Sequence, residues 1–369
     1  MKSVFAAGCF LLCAAILTGC GEERPGLVDG ANNLALFAVD TSGVSGSEWT
    51  AIPGATVRIS SIDFFFQEEY VTNGEGYIDL SDLPAGTYNI SAEKINSEEN
   101  YMIIGQASLS LLYDPASVDT IFMNYQTSSP ITMNEIYYCG CRASSFYYAD
   151  QYIELYNSSS ETIYLDGYLM CRGTQIADVI DAEAEDYALA YLVFSFPGER
   201  GVTQECPIEA GEYIVIASDA LDHHRWYDTC VDLSGADWEF FNPLGSDYDN
   251  PEVPNLSPVM NLTSDFALNL SHTSVWIATG EEWEFGVHFD GNNMKEYIHI
   301  PLETILDGVE YASNTDITRY MTVRIDAGLA GLGMTKYSAR SVQRRFPGLD
   351  SNNSTFDFII NEIPTPGYQ

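Results

Sequence analysis

The tightest constraint on this chain is a run of alternating residues, 152–156, set between two turn-rich loops. Ile153 and Leu155 point one way and Tyr152, Glu154 and Tyr156 the other, and a period of two belongs to a strand with one buried face. An apolar and aromatic run over 131–138 precedes it. After the break at 157–160 a third strand is expected over 163–170. Three strands so close together, joined by turn residues, predict an all-β unit.

The amino terminus sets the compartment. Lys2 is followed by an apolar stretch over 4–17 that is shorter than the ~20 residues of a spanning helix and has the make-up of a secretory signal. Leu17-Thr18-Gly19-Cys20 resembles a lipobox, which implies a signal peptide over 1–19, acyl chains on Cys20 and a tether over 20–30. Gly21 stands where an aspartate would favour inner-membrane retention, and Glu22 and Glu23 resemble an acidic surface-export tag. The expected location is therefore the outer membrane, lipid-anchored, at the cell surface or facing the periplasm.

With 53 acidic residues against 15 basic, the chain carries a formal charge of −38. Affinity for phosphate backbones comes from Lys and Arg, so nucleic acid is not an expected partner. The hydrophobic fraction of 46% is nevertheless ample for packed cores and separates this chain from an acidic disordered polymer. Its length suggests two domains.

Five cysteines, Cys139, Cys141, Cys171, Cys206 and Cys230, remain after the leader and the lipidated residue. Export permits disulfides, and an odd number leaves at least one thiol over. Cys171 is expected to pair with Cys139 or Cys141 if its strand neighbours their loop, and Cys206 with Cys230. Cys139-Gly140-Cys141 is spaced too closely for an ordinary structural zinc pair.

Two family resemblances organise the rest. Pro53-Gly54-Ala55-Thr56-Val57, Thr72-Asn73-Gly74-Glu75-Gly76-Tyr77 and Leu83-Pro84-Ala85-Gly86-Thr87-Tyr88 occur in the order of the carboxypeptidase-regulatory-like, or transthyretin-like, β-sandwich, and this resemblance covers 31–126. Gly74 in the Asn-Gly turn and Gly86 before Thr87 are expected to let the chain turn. A linker over 127–130 ends in Pro130.

Asn134-Glu135-Ile136, Tyr152-Ile153-Glu154-Leu155-Tyr156-Asn157 and Tyr164-Leu165-Asp166-Gly167-Tyr168 resemble the opening of a lamin-tail domain. The likeness continues through 208–217, 266–270, 274–278 and 305–311 to the closing Arg344-Arg345 and Pro364-Thr365-Pro366-Gly367, so it covers 131–369 with long insertions at 177–196, 221–258 and 281–301. The resemblances imply two immunoglobulin-like β-sandwich domains in series. Short helices are expected only at 181–191 and 218–227.

No serine-hydrolase elbow, phosphate-binding loop or His-Glu-x-x-His pair occurs, and no catalytic residue is assigned. Glu135 and Glu154 fall on neighbouring strands, where paired carboxylates can do glycosidase chemistry, but their place in the lamin-tail pattern implies a structural role. His223-His224 lacks an evident third metal ligand. Asp247, Asp249 and Asn250 alternate as calcium ligands do without the glycine and glutamate of an EF-hand loop, so no metal is assigned and a structural calcium ion is the only cofactor the sequence leaves room for.

Aromatic residues in loops give the stronger hint: Phe146, Tyr147, Tyr148, Trp226, Trp238 and Trp283 are candidates to stack on a glycan or anchor a protein. Phe64-Phe65-Phe66 is expected to pack in the core or at the join to the next domain rather than form an exposed binding surface, with at least one of the three rings left exposed or at that join by strand alternation. The sequence thus points to a non-enzymatic binding or adhesion lipoprotein, or an accessory subunit of a surface complex or outer-membrane nutrient transporter. A divergent carbohydrate hydrolase and a structural component of a surface assembly are the alternatives.

Overall fold

The computed structural model describes residues 32–40, 50–61, 63–64, 66–96, 101–112, 117–127, 129–142, 148–173, 186–260, 262–289 and 292–369. Cys20, Phe65, Phe146 and Tyr147 lie outside them, as does 181–185 of the first expected helix. The described chain is all-β, with multiple sheets in a β-sandwich architecture, and its one α-helix is the short Ser354–Asp357, capped by the Asn353 side chain. Two compact units are present: 32–39, 50–92 and 106–122 belong to the first, and 93–105 and 123–369 to the second.

An eight-stranded sheet runs in the order Thr50–Ala51, Asn32–Asp40, Ser117–Thr127, Tyr101–Leu111, Gly86–Asn96, Thr56–Ser61, Gln67–Val71, with Tyr77–Leu83 paired to Asn32–Asp40. Its alternating Leu34, Leu36, Ala38, Val57, Ile59, Ile78 and Leu80 are all buried. Phe64 and Phe66 are half-buried and meet Tyr88 edge-on at 6.0 and 5.6 Å, so this aromatic pair packs inward.

The two glycines expected to turn the chain act differently. The left-handed residue of the 73–76 turn is Gly76 (φ +76°) rather than Gly74, and Asn73 closes that turn by accepting from the Glu75 and Tyr77 amides. Gly86 matters because a Cβ there would meet the Phe64 ring at 2.7 Å.

The second unit is built on two large sheets. One runs Trp238–Glu239, Tyr213–Ala217, Tyr152–Asn157, Ile131–Tyr137, Ser341–Arg344, Phe358–Asn361. The other runs Glu284–Phe289, Met294–Pro301, Tyr187–Ser195, Leu169–Gly173, His272–Ala278, Ile305–Ala312. One core fills between them, with Ile153, Leu155, Ile214 and Ile216 from the first sheet and Met170, Phe194, Ile277 and Val309 from the second.

Several local expectations are corrected. The strand expected over 163–170 is two pieces, Ile163–Tyr164 and Leu169–Gly173, because Asp166 turns the chain between them and accepts from the Thr203 hydroxyl and the Glu205 and Cys206 amides. Tyr187–Ser195 is a strand, not the end of a helix: it is bonded on both sides, to Leu169–Gly173 and Met294–Pro301. Residues 218–227 form turns, with Asp222 bridging to Asp232. Residues 266–270 keep a strand's alternation but have no strand beside them. The Gln151 side chain takes a strand's place, accepting from Leu268 N–H (2.8 Å) and donating to Leu268 C=O (2.9 Å) and Tyr138 C=O (2.6 Å).

The cysteine pairing also differs from expectation. Cys141 is bonded to Cys230, while Cys139, Cys171 and Cys206 are buried free thiols. Cys171 faces the sheet core opposite Val193 and Trp276, and Cys206 donates to the Pro197 carbonyl, so neither is placed to reach a second sulfur.

The Tyr152–Asn157 strand is buried on both faces instead of one, with Glu154 fully enclosed. The carboxy-terminal tail covers the second face. Glu154 accepts from Gly367 N–H (2.5 Å) and the Asn134 amide (2.8 Å), while its cross-strand neighbour Glu135 accepts from the Thr365 amide and hydroxyl and from Ser341. The two carboxylates thus fix Thr365 and Gly367 against the sheet.

Candidate functional site

Two cavities lie side by side in the second unit and share Tyr148 and Ala267 as a common wall. Their floor is the segment 265–269, which Gln151 holds extended, so that Asp265 and Phe266 line one cavity and Leu268 and Asn269 the other. An extended segment presents successive residues about 3.3 Å apart, which is why two neighbouring sites form along it.

The first cavity, about 250 Å³, gathers Asp219, Asp247 and Asp265; among the described residues no Lys, Arg or His lines it, and the buried His223 ring lies behind Asp219 at 3.8 Å. Phe240 and Phe266, stacked at 4.0 Å, form its apolar base, and Tyr248 and Tyr148 stand at its edge, 71% and 42% exposed. Asp247 is oriented by its own turn, accepting from Asn242 N–H (2.8 Å) and Tyr248 N–H (3.0 Å). Burial, and then the charges of Asp265 and Asp219, push its carboxyl up to about 7. Burial followed by the Asp219 charge raises Asp265 as well. A cavity that crowds carboxylates in this way gains most from an entering cation.

The second cavity, about 270 Å³, is lined by Arg172, His272, Thr273, Asn269 and Tyr320 beside the shared Tyr148. Arg172 ends the Leu169–Gly173 strand opposite Leu192 and Val275 and donates through Nη1 to the Ala267 carbonyl. Burial pulls its guanidinium down from the usual value, partly offset by Tyr311, Tyr191 and Tyr148. His272 is balanced: its Nε2 lies 2.9 Å from Glu310, and its ring packs on Tyr320 at 4.1 Å.

Of the other aromatic candidates, Trp238 is buried against Phe196 at 5.3 Å and belongs to the core, contrary to its place in a long insertion. Trp283 packs partly buried against the same core and edge-on to Phe285, and Trp226 is 46% exposed with the Arg225 guanidinium 4.6 Å over its ring. Neither lines the two cavities. Among the described candidates, Tyr148 is thus the one that reaches the site.

The calcium-like trio does not act as one set. Asp247 faces the cavity, Asp249 accepts from the Asn255 amide, and Asn250 donates to the Ala220 carbonyl. His223 is buried 3.8 Å from Asp219, whereas exposed His224 lies 3.2 Å from the Cys230 carbonyl. Among the described residues, Cys141, Asp150 and Cys230 bring three metal-ligand atoms within 4.8 Å of one another, and there both sulfurs are joined in the disulfide.

Sequence reasoning missed Asp265 and Arg172. The available signal for Arg172 was a guanidinium in an otherwise apolar strand, Leu169-Met170-Cys171-Arg172-Gly173, of a chain poor in bases.

Residues 209–365 match the family described as Protein of unknown function (DUF4876). That DUF4876 stretch contains Asp219, Asp247, Asp265 and His272, while Tyr148 and Arg172 come from outside it. A crystal structure of a DUF4876 family protein from Bacteroides thetaiotaomicron superposes on 90% of this chain and 96% of its own, at 23% identity and a TM-score of 0.56, a likeness of fold. The full-length major pilin SpaD from Corynebacterium diphtheriae aligns over 77% of this chain and 67% of its own at 10% identity, with a TM-score of 0.21 that is too slight to argue from. Among curated proteins none matches this chain.

Proposed function

We propose that this protein is a non-catalytic outer-membrane lipoprotein, displayed at the cell surface on acyl chains at Cys20, that binds a ligand in the paired cavities beside Tyr148. It serves as a binding or adhesion module, or as the accessory subunit of a surface complex or nutrient-uptake transporter. In this reading the first unit is a carboxypeptidase-regulatory-like spacer and the second a lamin-tail-like domain with the cavities in its insertions. The observation that carries it is the carboxylate trio, Asp219, Asp247 and Asp265, gathered in an open cavity with aromatic edges, where the His223 ring 3.8 Å from Asp219 is the basic group beside it. Structural acids are normally paired or spread over the surface, whereas crowded ones in a cavity are suited to a ligand that supplies the cation.

Protease shaving of intact cells, followed by capture of partners on the detergent-solubilised full chain, tests this. The expected result is loss of the protein from shaved cells and recovery of a partner or glycan that Tyr148→Ala fails to retain. Resistance to shaving together with empty capture would contradict it.

A further inference from the structure

The arginine of the second cavity is anomalous. Arg344, also shielded from water, is met by Asp307, Asp350 and Asp357, and Arg319 by Glu310. Arg172 has no carboxylate partner among the described residues: Nη1 donates to the Ala267 carbonyl and Nε is buried without an acceptor. A shielded cation without an anion is costly, and a chain with 53 acids had every means to supply one. The guanidinium lines the second cavity, and a planar fork of this kind suits a carboxylate.

The two cavities therefore have opposite needs and a common wall. The acidic one crowds three carboxylates with the His223 ring beside Asp219 alone, the Arg172 one holds a guanidinium with no carboxylate partner among the described residues, and Tyr148 and Ala267 border both. We propose that a single short peptide with free termini occupies them together, its ammonium among Asp219, Asp247 and Asp265 and its carboxylate on Arg172. This rests on the binding reading above and names its ligand class. Length follows from the floor: Arg172 leans on the carbonyl of Ala267, two residues from Asp265, and two extended residues span about 7 Å. An α-amino acid carries both charges on one carbon and is too short, whereas a di- or tripeptide reaches. Tyr148 at the shared wall, and Phe240 and Phe266 at the base of the first cavity, offer apolar surface to the peptide.

Calorimetric titration of the full chain at pH 8 with trialanine, N-acetyl-trialanine and trialanine amide tests the assignment. Free trialanine is expected to bind, and blocking either end to weaken it about tenfold or more, the loss of one charge-assisted contact. Arg172→Gln should reduce the affinity for free trialanine to that of the amide while leaving the amide's own affinity unchanged. Asp247→Asn should do the same with respect to the acetylated peptide. Arg172→Lys, which keeps the charge and loses the fork, should fall between, and its circular-dichroism spectrum and melting point separate a binding effect from misfolding.

If trialanine amide binds as tightly as trialanine, or Arg172→Gln changes nothing, the carboxylate assignment is overturned. If no peptide binds while a captured partner still depends on Tyr148, the peptide proposal fails and the binding reading stands. If capture is also independent of Tyr148, both fail.

Discussion

Replacing Arg344 with methionine is expected to cost about 3–5 kcal/mol of unfolding free energy, because it strands buried carboxylates without their cation. Arg344 is 1% exposed and sits 2.7 Å from Asp307, 3.3 Å from Asp350 and 3.4 Å from Asp357, while its Nε donates to the Met133 carbonyl and Nη1 to that of Leu349. One side chain thereby ties Ile131–Tyr137, Ile305–Ala312 and the 349–357 loop together. Burial pushes Asp307 and Asp357 up and the guanidinium pulls them back, whereas burial alone would lower Arg344 and the three carboxylates hold it cationic. Arg344→Lys keeps the charge but loses the fork and should cost less than methionine. Urea unfolding of the three proteins checks the order; a methionine variant as stable as the parent would show that the network contributes nothing net.

Stability is expected to fall as pH rises from about 5 to 9. Burial, the leading cause in each case, raises Glu154 from 4.5 to about 8, Asp247 from 3.8 to about 7 and Asp150 from 3.8 to about 6. A carboxyl whose folded value lies above its unfolded one holds its proton more tightly when folded. Its contribution is complete below the unfolded value and is lost as pH climbs through the folded one. At about 1.4 kcal/mol per pH unit, Glu154 alone contributes on the order of 4–5 kcal/mol to this decline. Asp166 and Asp232 are shifted down by hydrogen bonds, Asp166 despite its burial, and their stabilisation fades only in acid, outside this window. Unfolding midpoints measured across that range should decline, and Glu154→Gln should flatten the curve. A midpoint that rises with pH would contradict the burial of these acids.

Much of the architecture was written locally. The alternation of Tyr152–Asn157 could be read because period is a property of neighbouring residues. Features that depend on distant partners could not. Tyr187–Ser195 is apolar on nearly every residue, a pattern that helix and buried strand share, and only its two flanking strands decide between them. Residues 266–270 alternate like a strand, yet the side chain of Gln151 takes the place of a neighbour. Trp238 looked available because its insertion is long, but that insertion folds back so that the ring covers Phe196.

The candidate site shows the same division. Tyr148 and Asp247 stood out by residue type, but bringing Asp219, Asp265 and Arg172 around them required the 265–269 segment to be held against parts of the chain far apart in sequence.

Incubating the full chain with peptide and glycan panels, and following bound and free molecules by mass spectrometry, sets contact against chemistry most directly. Ligands should be retained and recovered unchanged, with retention lost in Tyr148→Ala. Conversion of any panel member into product, or retention indifferent to Tyr148, would contradict a binding module centred on the paired cavities.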